Sequence, residues 1–120
     1  MSDLPKSITI HEEGPREGFQ SEKRVYPTAD KLRLIHALAK TGLADIQCTS
    51  FVNPARVPQM ADADALAHGI EREHGVRYTG LWLNHQGFLR AARSGLDLRT
   101  SAISSASSTF SVKNNGCTSD

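Results

Sequence analysis

The sequence is short of most features that would assign a function at sight. No apolar run approaches the ~20 residues needed to cross a bilayer, which argues against a membrane-spanning helix. The formal charge is +1, with no basic patch to grip nucleic acid or an anionic membrane. Two cysteines, Cys48 and Cys117, lie far apart without CxxC spacing, which argues against a zinc site and a disulfide framework. Cys48 reads as a small core thiol on a strand and Cys117 as a loop thiol. The five histidines form no HxH or HExxH pair. His11 sits at a strand end without a ligand partner, and His36, His68 and His74 read as helix-surface residues. No glycine-rich phosphate loop, internal repeat or linker is present. The acid and proline near Met1 do not fit a signal peptide, so a cytoplasmic protein is the default.

What is present is an alternation of strand and helix patterns. Residues 7–11 read as a strand, with Ile8 and Ile10 two apart, ended by a Gly- and Pro-rich stretch to Gly18. Thr28 is the expected N-cap of a helix over residues 28–40, whose apolar face is Leu32, Ile35, Leu38 and Ala39, with Gly42 beyond its end. Residues 45–51 read as the second strand. A helix is expected over residues 62–74, with Ala65, Leu66, Ala67 and Ile70 inward. Residues 76–83 read as the third strand. A third helix from Asn84 or His85 to Gly95 would pack Phe88, Leu89 and Ala92, and residues 98–104 are a weaker fourth strand. Residues 101–120, rich in Ser, Thr and Asn, would alone pass for a tail.

The βαβαβαβ order argues for a parallel sheet with right-handed crossovers. Two architectures compete. A doubly wound sheet closes with four strands but lacks its phosphate motif here. A (β/α)₈ barrel typically needs about 250 residues, so four units would be half of one. Both place chemistry at the carboxyl ends of strands. Dense polar groups follow the first, second and fourth strands, with Arg16 and Glu17 side by side in the first loop. On composition alone, that pair reads as a surface ion pair. Arg16 could instead stabilise an oxyanion, and Glu17 could ligate a hard cation.

The stretch Glu12-Glu13-Gly14-Pro15-Arg16-Glu17-Gly18-Phe19-Gln20-Ser21-Glu22-Lys23 resembles the opening signature of 3-hydroxy-3-methylglutaryl-CoA lyases, E-V-G-P-R-D-G-L-Q-N-E-K. Thr49-Ser50-Phe51-Val52-Asn53-Pro54 and Val57-Pro58-Gln59-Met60-Ala61-Asp62 resemble two further blocks of that family. So do Asn84-His85-Gln86-Gly87-Phe88 and Ser105-Ala106-Ser107-Ser108-Thr109-Phe110 with Lys113-Asn114-Asn115.

The resemblance implies that residues 1–120 are the N-terminal part of a single (β/α)₈-barrel lyase domain, truncated after about four β/α units. It implies metal-assisted retro-Claisen cleavage of a 3-hydroxyacyl-CoA to acetyl-CoA and a keto acid, with an acyl-CoA as partner and a divalent metal, magnesium or manganese first, as cofactor. Arg16 would stabilise the enolate, Glu17 would ligate the metal, and Gln20, Gln47, Ser50 and Asn84 would line the substrate pocket. The family's two histidine ligands, catalytic cysteine and asparagine ligand would lie beyond residue 120.

Two residues depart from the pattern. Glu17 stands where the family has aspartate, and Gln47 where it has glutamate. A sister carboligase and a non-catalytic half-barrel stabilised by self-association are the alternative functions.

Overall fold

The structure is a computed structural model and describes residues 3–98. Three parallel strands form one sheet: β1 (His11–Glu12), β2 (Asp45–Ser50) and β3 (Arg77–Leu81). Their spatial order is β1-β2-β3, the order of the chain itself. Beyond β3, Asp97 makes a further parallel bridge to Thr79. Strands added one after another in the same direction are the geometry of a barrel wall. A doubly wound sheet would reverse direction at a switch point.

Four helices accompany the strands: α1 (Phe19–Ser21), α2 (Thr28–Ala39), α3 (Ala63–Gly69) and α4 (His85–Ser94). Helix residues Ile35, Ala39, Leu66, Ala67 and Ala91 meet Ile46, Cys48 and Tyr78 of the sheet, together with Phe51, in one buried cluster. Strand residues alternate faces. Ile46 and Tyr78, in register, enter that cluster, while Asp45 pairs with Arg77 and Gln47 with Thr79 on the opposite face. Every residue of β2 is buried, which is why this strand carries both core and site residues. An irregularity between Gln47 and Thr49 shifts the register beyond the midpoint of the strand.

Several boundaries differ from the sequence reading. The first strand is confined to His11 and Glu12, because these are the residues that find partners on β2, at Asp45 and Ile46. Ile8 and Ile10 precede the start of β2 and stay exposed, at 80% and 61%. Thr28 does not cap α2. Pro27 holds the cap position, and the Thr28 hydroxyl donates to Asp62 at 2.6 Å instead.

The helix expected to reach His74 stops at Gly69. Ile70 takes an extended backbone there and turns its side chain into the core, and the Glu71 N–H is met by His36 Nε2 at 3.0 Å. His74 therefore lies in a turn, with Gly75 at φ +81°.

On α4 the buried positions are Gly87, Ala91 and Ser94. Phe88 and Leu89 are half-buried and Ala92 is exposed. The helix presses so close to the sheet that a Cβ on Gly87 would lie 2.6 Å from the Phe51 carbonyl oxygen, so only small side chains fit the contact. The strand expected over residues 98–104 lies outside the described residues except for Leu98. Among the described residues, no helix is long and apolar enough to cross a membrane.

Candidate active site

The chain leaves β1 into a single wide, π-type helical turn, Gly14–Gly18. Such turns hold an extra residue per winding and are frequent at functional sites. Here the Glu13 carbonyl accepts from both the Arg16 and Glu17 N–H groups, at 3.0 and 2.8 Å. Pro15 is buried inside the turn, and Gly14 allows its own N–H to reach the Glu12 carboxylate at 2.6 Å. A Cβ at Gly14 would come within 2.7 Å of that oxygen.

The turn delivers Arg16 to β2. Its Nε donates to Gln47 Oε1 at 2.6 Å, from a side chain that retains 14% exposure. One terminal nitrogen pairs with Glu13 at 3.2 Å and the other with Glu17. The guanidinium is thus gripped on three sides by one neutral amide and two carboxylates, so it is pre-positioned rather than free to swing. Glu13 is a partner that sequence reasoning missed. Its i,i+3 spacing to Arg16 within a helical turn was the available signal.

The other expected pocket residues are placed as follows. Gln20 rides on α1, and its Oε1 is buried without a partner among the described residues. Ser50 ends β2, and its Oγ is likewise buried and unpaired. A buried polar atom without a partner costs free energy unless something fills the vacancy. Both atoms lie on segments at or after the carboxyl ends of β1 and β2. Asn84 caps α4, accepting from the Gly87 N–H at 2.8 Å. Trp82 Nε1, on the segment between β3 and Asn84, is a third buried polar atom without a partner among the described residues, and a donor, which the sequence did not flag.

Glu17 keeps 61% exposure and faces Arg16. Among the described residues, no three of His, Cys, Asp and Glu gather closely enough to hold a metal ion. The described residues therefore do not form a cation site by themselves. His36 and His68 are committed to backbone groups at Glu71 and Asp64, while His11 sits 3.3 Å from the buried Asp45, which also pairs with Arg77. That last cluster lies at the opposite end of the sheet, where a barrel's residues serve stability. Cys48 is a core thiol as expected. Burial pushes its pKa up to about 12, so it is inert as a nucleophile. Cys117 lies outside the described residues.

Known proteins resemble this chain along nearly its whole length. The chain is 43% identical over 117 residues to mitochondrial hydroxymethylglutaryl-CoA lyase of Mus musculus, covering 98% of this chain and 36% of that protein. It is 46% identical to cytoplasmic 3-hydroxy-3-methylglutaryl-CoA lyase of Danio rerio, over 98% and 35% of the two chains. The matched relatives are hydroxymethylglutaryl-CoA lyases, and this chain aligns with their N-terminal portion. It spans about a third of the length of the curated relatives it matches.

The lyase structure from Bacillus subtilis superposes with a TM-score of 0.82 at 41% identity, over 95% of this chain and 38% of that one. An Acinetobacter baumannii lyase in complex with coenzyme A and 3-methylmalate gives 0.82 at 32% identity, over 98% and 38%. The α/β fold with its sequential parallel strands is the first part of that lyase barrel. No protein-family model matches the chain.

Proposed function

We propose that the complete protein to which these residues belong is a carbon–carbon lyase that cleaves a 3-hydroxy-3-methylglutaryl-CoA-like thioester to acetyl-CoA and a keto acid. The observation that carries this reading is Arg16, held by Gln47, Glu13 and Glu17, with Gln20 Oε1 and Ser50 Oγ, on the segments that end β1 and β2, buried without a partner among the described residues. In such a cleavage the 3-hydroxyl loses its proton and its oxygen becomes a carbonyl as the C2–C3 bond breaks. The electron pair passes to the thioester enolate, which takes a proton at C2 to give acetyl-CoA. Negative charge therefore develops on the thioester oxygen, and a pre-oriented guanidinium stabilises it most where it is already in place.

Arg16 is the proposed enolate stabiliser, and Gln20, Gln47, Ser50 and Asn84 are the proposed pocket. Gln47 orients Arg16 but is no base, since an amide does not take up a proton in this range. A divalent cation, magnesium or manganese, would lower the pKa of the substrate hydroxyl when bound. Glu17 would give it one oxygen, with further ligands from residues outside 3–98.

An acyl-CoA is the proposed partner, in keeping with the coenzyme A held by the Acinetobacter lyase. A homo-oligomer is also proposed, with Leu4, Ile8 and Ile10 exposed ahead of β1. A cytoplasmic location belongs to this reading, the relatives including lyases named cytoplasmic and lyases named mitochondrial.

The test is to express the complete protein, add 3-hydroxy-3-methylglutaryl-CoA with magnesium or manganese, and follow acetyl-CoA and acetoacetate by mass spectrometry. A panel of other 3-hydroxyacyl-CoAs runs beside it, because Gln47 in place of glutamate favours an altered acyl group as the second reading. Condensation of acetyl-CoA with a 2-keto acid would assign a carboligase instead. No turnover in either direction would sink the enzymatic reading.

A further inference from the structure

Lys31 lies on α2 at a position with no apolar character, yet it is 2% exposed. Its ammonium donates to the Gln59 main-chain carbonyl and to Asp62 Oδ1, the latter at 2.8 Å, and lies 6.0 Å from the centre of the Phe19 ring. The second oxygen of Asp62 accepts from the Thr28 hydroxyl at 2.6 Å. The Gln59 side-chain amide then donates to the Glu22 carbonyl at 2.8 Å. One buried cation thus ties together the segment that follows β1, the segment that follows β2, and the helix between them.

Two features set this cluster apart from an ordinary ion pair. Thr28 opens α2 and Asp62 holds the N-cap position of α3, both residue types that cap helices well, and neither makes a side-chain cap. Each gives its side-chain oxygen to the Lys31 cluster instead. Moreover, a buried pair offers little net stability over an apolar replacement of the same shape. What such a pair can do is fix one arrangement of the segments it joins.

We infer that Lys31, through Gln59 and Asp62, is a positioning residue that locks the Arg16- and Gln20-bearing segment after β1 to the segment after Ser50. The inference rests on the lyase reading for its effect on rate, but not for the mechanical link itself. Gln59 is the separable strut. Gln59→Met removes the bond to Glu22 while leaving the main-chain carbonyl that Lys31 uses. In the complete protein, Gln59→Met is expected to keep its melting temperature within a few degrees. It should raise amide hydrogen exchange selectively across residues 14–22 and lower kcat on the order of tenfold with KM nearly unchanged. Lys31→Met should raise exchange in both segments together, and if that variant does not fold, Gln59→Met carries the test alone.

Unchanged exchange at residues 14–22 in Gln59→Met would overturn the link. Raised exchange with unchanged kcat, in a protein that does cleave the thioester, would overturn the positioning role. A parent protein without turnover, whose variant still loosens residues 14–22, would support the link while the lyase reading fails on its own.

Discussion

Arg16 Nε donates to Gln47 Oε1 at 2.6 Å, across 31 residues of sequence, and this bond joins the first loop to the middle of the second strand. Because Gln47 is neutral, the charge of Arg16 is balanced, among the described residues, by Glu13 and Glu17. Replacing Gln47 by Glu adds a third carboxylate and turns a guanidinium–amide bond into a guanidinium–carboxylate ion pair. The Gln47→Glu protein is expected to shift its preference among 3-hydroxyacyl-CoAs toward 3-hydroxy-3-methylglutaryl-CoA by about tenfold, a change within reach of one altered polar contact. Ratios of kcat/KM across the substrate panel read this out. An unchanged ratio would separate Gln47 from specificity.

Removing the guanidinium itself should act on rate. Arg16→Gln is expected to lower kcat by roughly 10²–10³, the usual effect of losing one donor to a developing oxyanion. Arg16→Lys should rescue little, since a single ammonium cannot reach Gln47, Glu13 and Glu17 together. Steady-state kinetics on both variants, with circular dichroism to confirm folding, decides the matter. Full activity in Arg16→Lys would reduce the site to a simple positive charge.

Ser50 offers a cleaner separation of binding from folding. Its hydroxyl is buried and lacks a partner among the described residues, so Ser50→Ala deletes an unmet polar group and should leave the ligand-free protein as stable as before, or more stable by up to about 1 kcal/mol. The same change should weaken the thermal shift produced by an acyl-CoA ligand. Differential scanning fluorimetry with and without ligand tests both halves. A variant that loses stability in the absence of ligand would show that Ser50 is already satisfied in the folded protein.

Burial of Cys48 makes a statement about alkaline pH. Its pKa rises from 9.0 to about 12 because the thiolate would be desolvated among core side chains. Below pH 9 the thiol is protonated whether the chain is folded or not. Between pH 9 and 12 the unfolded chain releases the proton and the folded one keeps it, so stability falls as pH rises through that window. In a Cys117→Ser background, denaturant titrations from pH 8 to 11 should show this decline. Cys48→Ala should remove that component of the slope, at the cost of a small cavity. Labelling of folded Cys48 by iodoacetamide at pH 8 should be slow until denaturant is added.

The order of elements and their parallel direction were legible because hydrophobic periods of two and of 3.6 alternate along the chain. Arg16, Gln20, Ser50 and Asn84 fall at strand ends or on the turns after them, which pattern and resemblance both indicate, whereas mid-strand Gln47 is indicated by the resemblance alone. Three kinds of feature were not legible. Lys31 reads as a surface residue on α2, and its burial depends on Asp62 and Gln59, which are 31 and 28 residues away. Thr28 reads as a cap, but a tertiary hydrogen bond outbid the local one. The end of α3 looked open as far as His74, because nothing local says that Ile70 gains more by entering the core than by continuing the helix. In each case a distant contact overrode local preference.

The contact between α4 and β2 shows the same effect at its sharpest. By periodicity the inward stripe should hold Phe88, Leu89 and Ala92, yet the face that packs is Gly87, Ala91 and Ser94. The reason is distance: the first turn of α4 lies against the backbone of Phe51, where a Cβ on Gly87 would approach the carbonyl oxygen to 2.6 Å. A clash with backbone cannot be relieved by rotating a side chain, so the helix has to move or tilt. Gly87→Ala should therefore destabilise the protein by about 1–3 kcal/mol, despite the better intrinsic helix propensity of alanine. Ala91→Gly, which opens space on the same face, should cost about 1 kcal/mol from propensity and lost packing. Urea denaturation of the two variants compares these directly. If Gly87→Ala proves neutral, the Phe51 carbonyl is not what selects the small-residue face of α4, and that face has another cause.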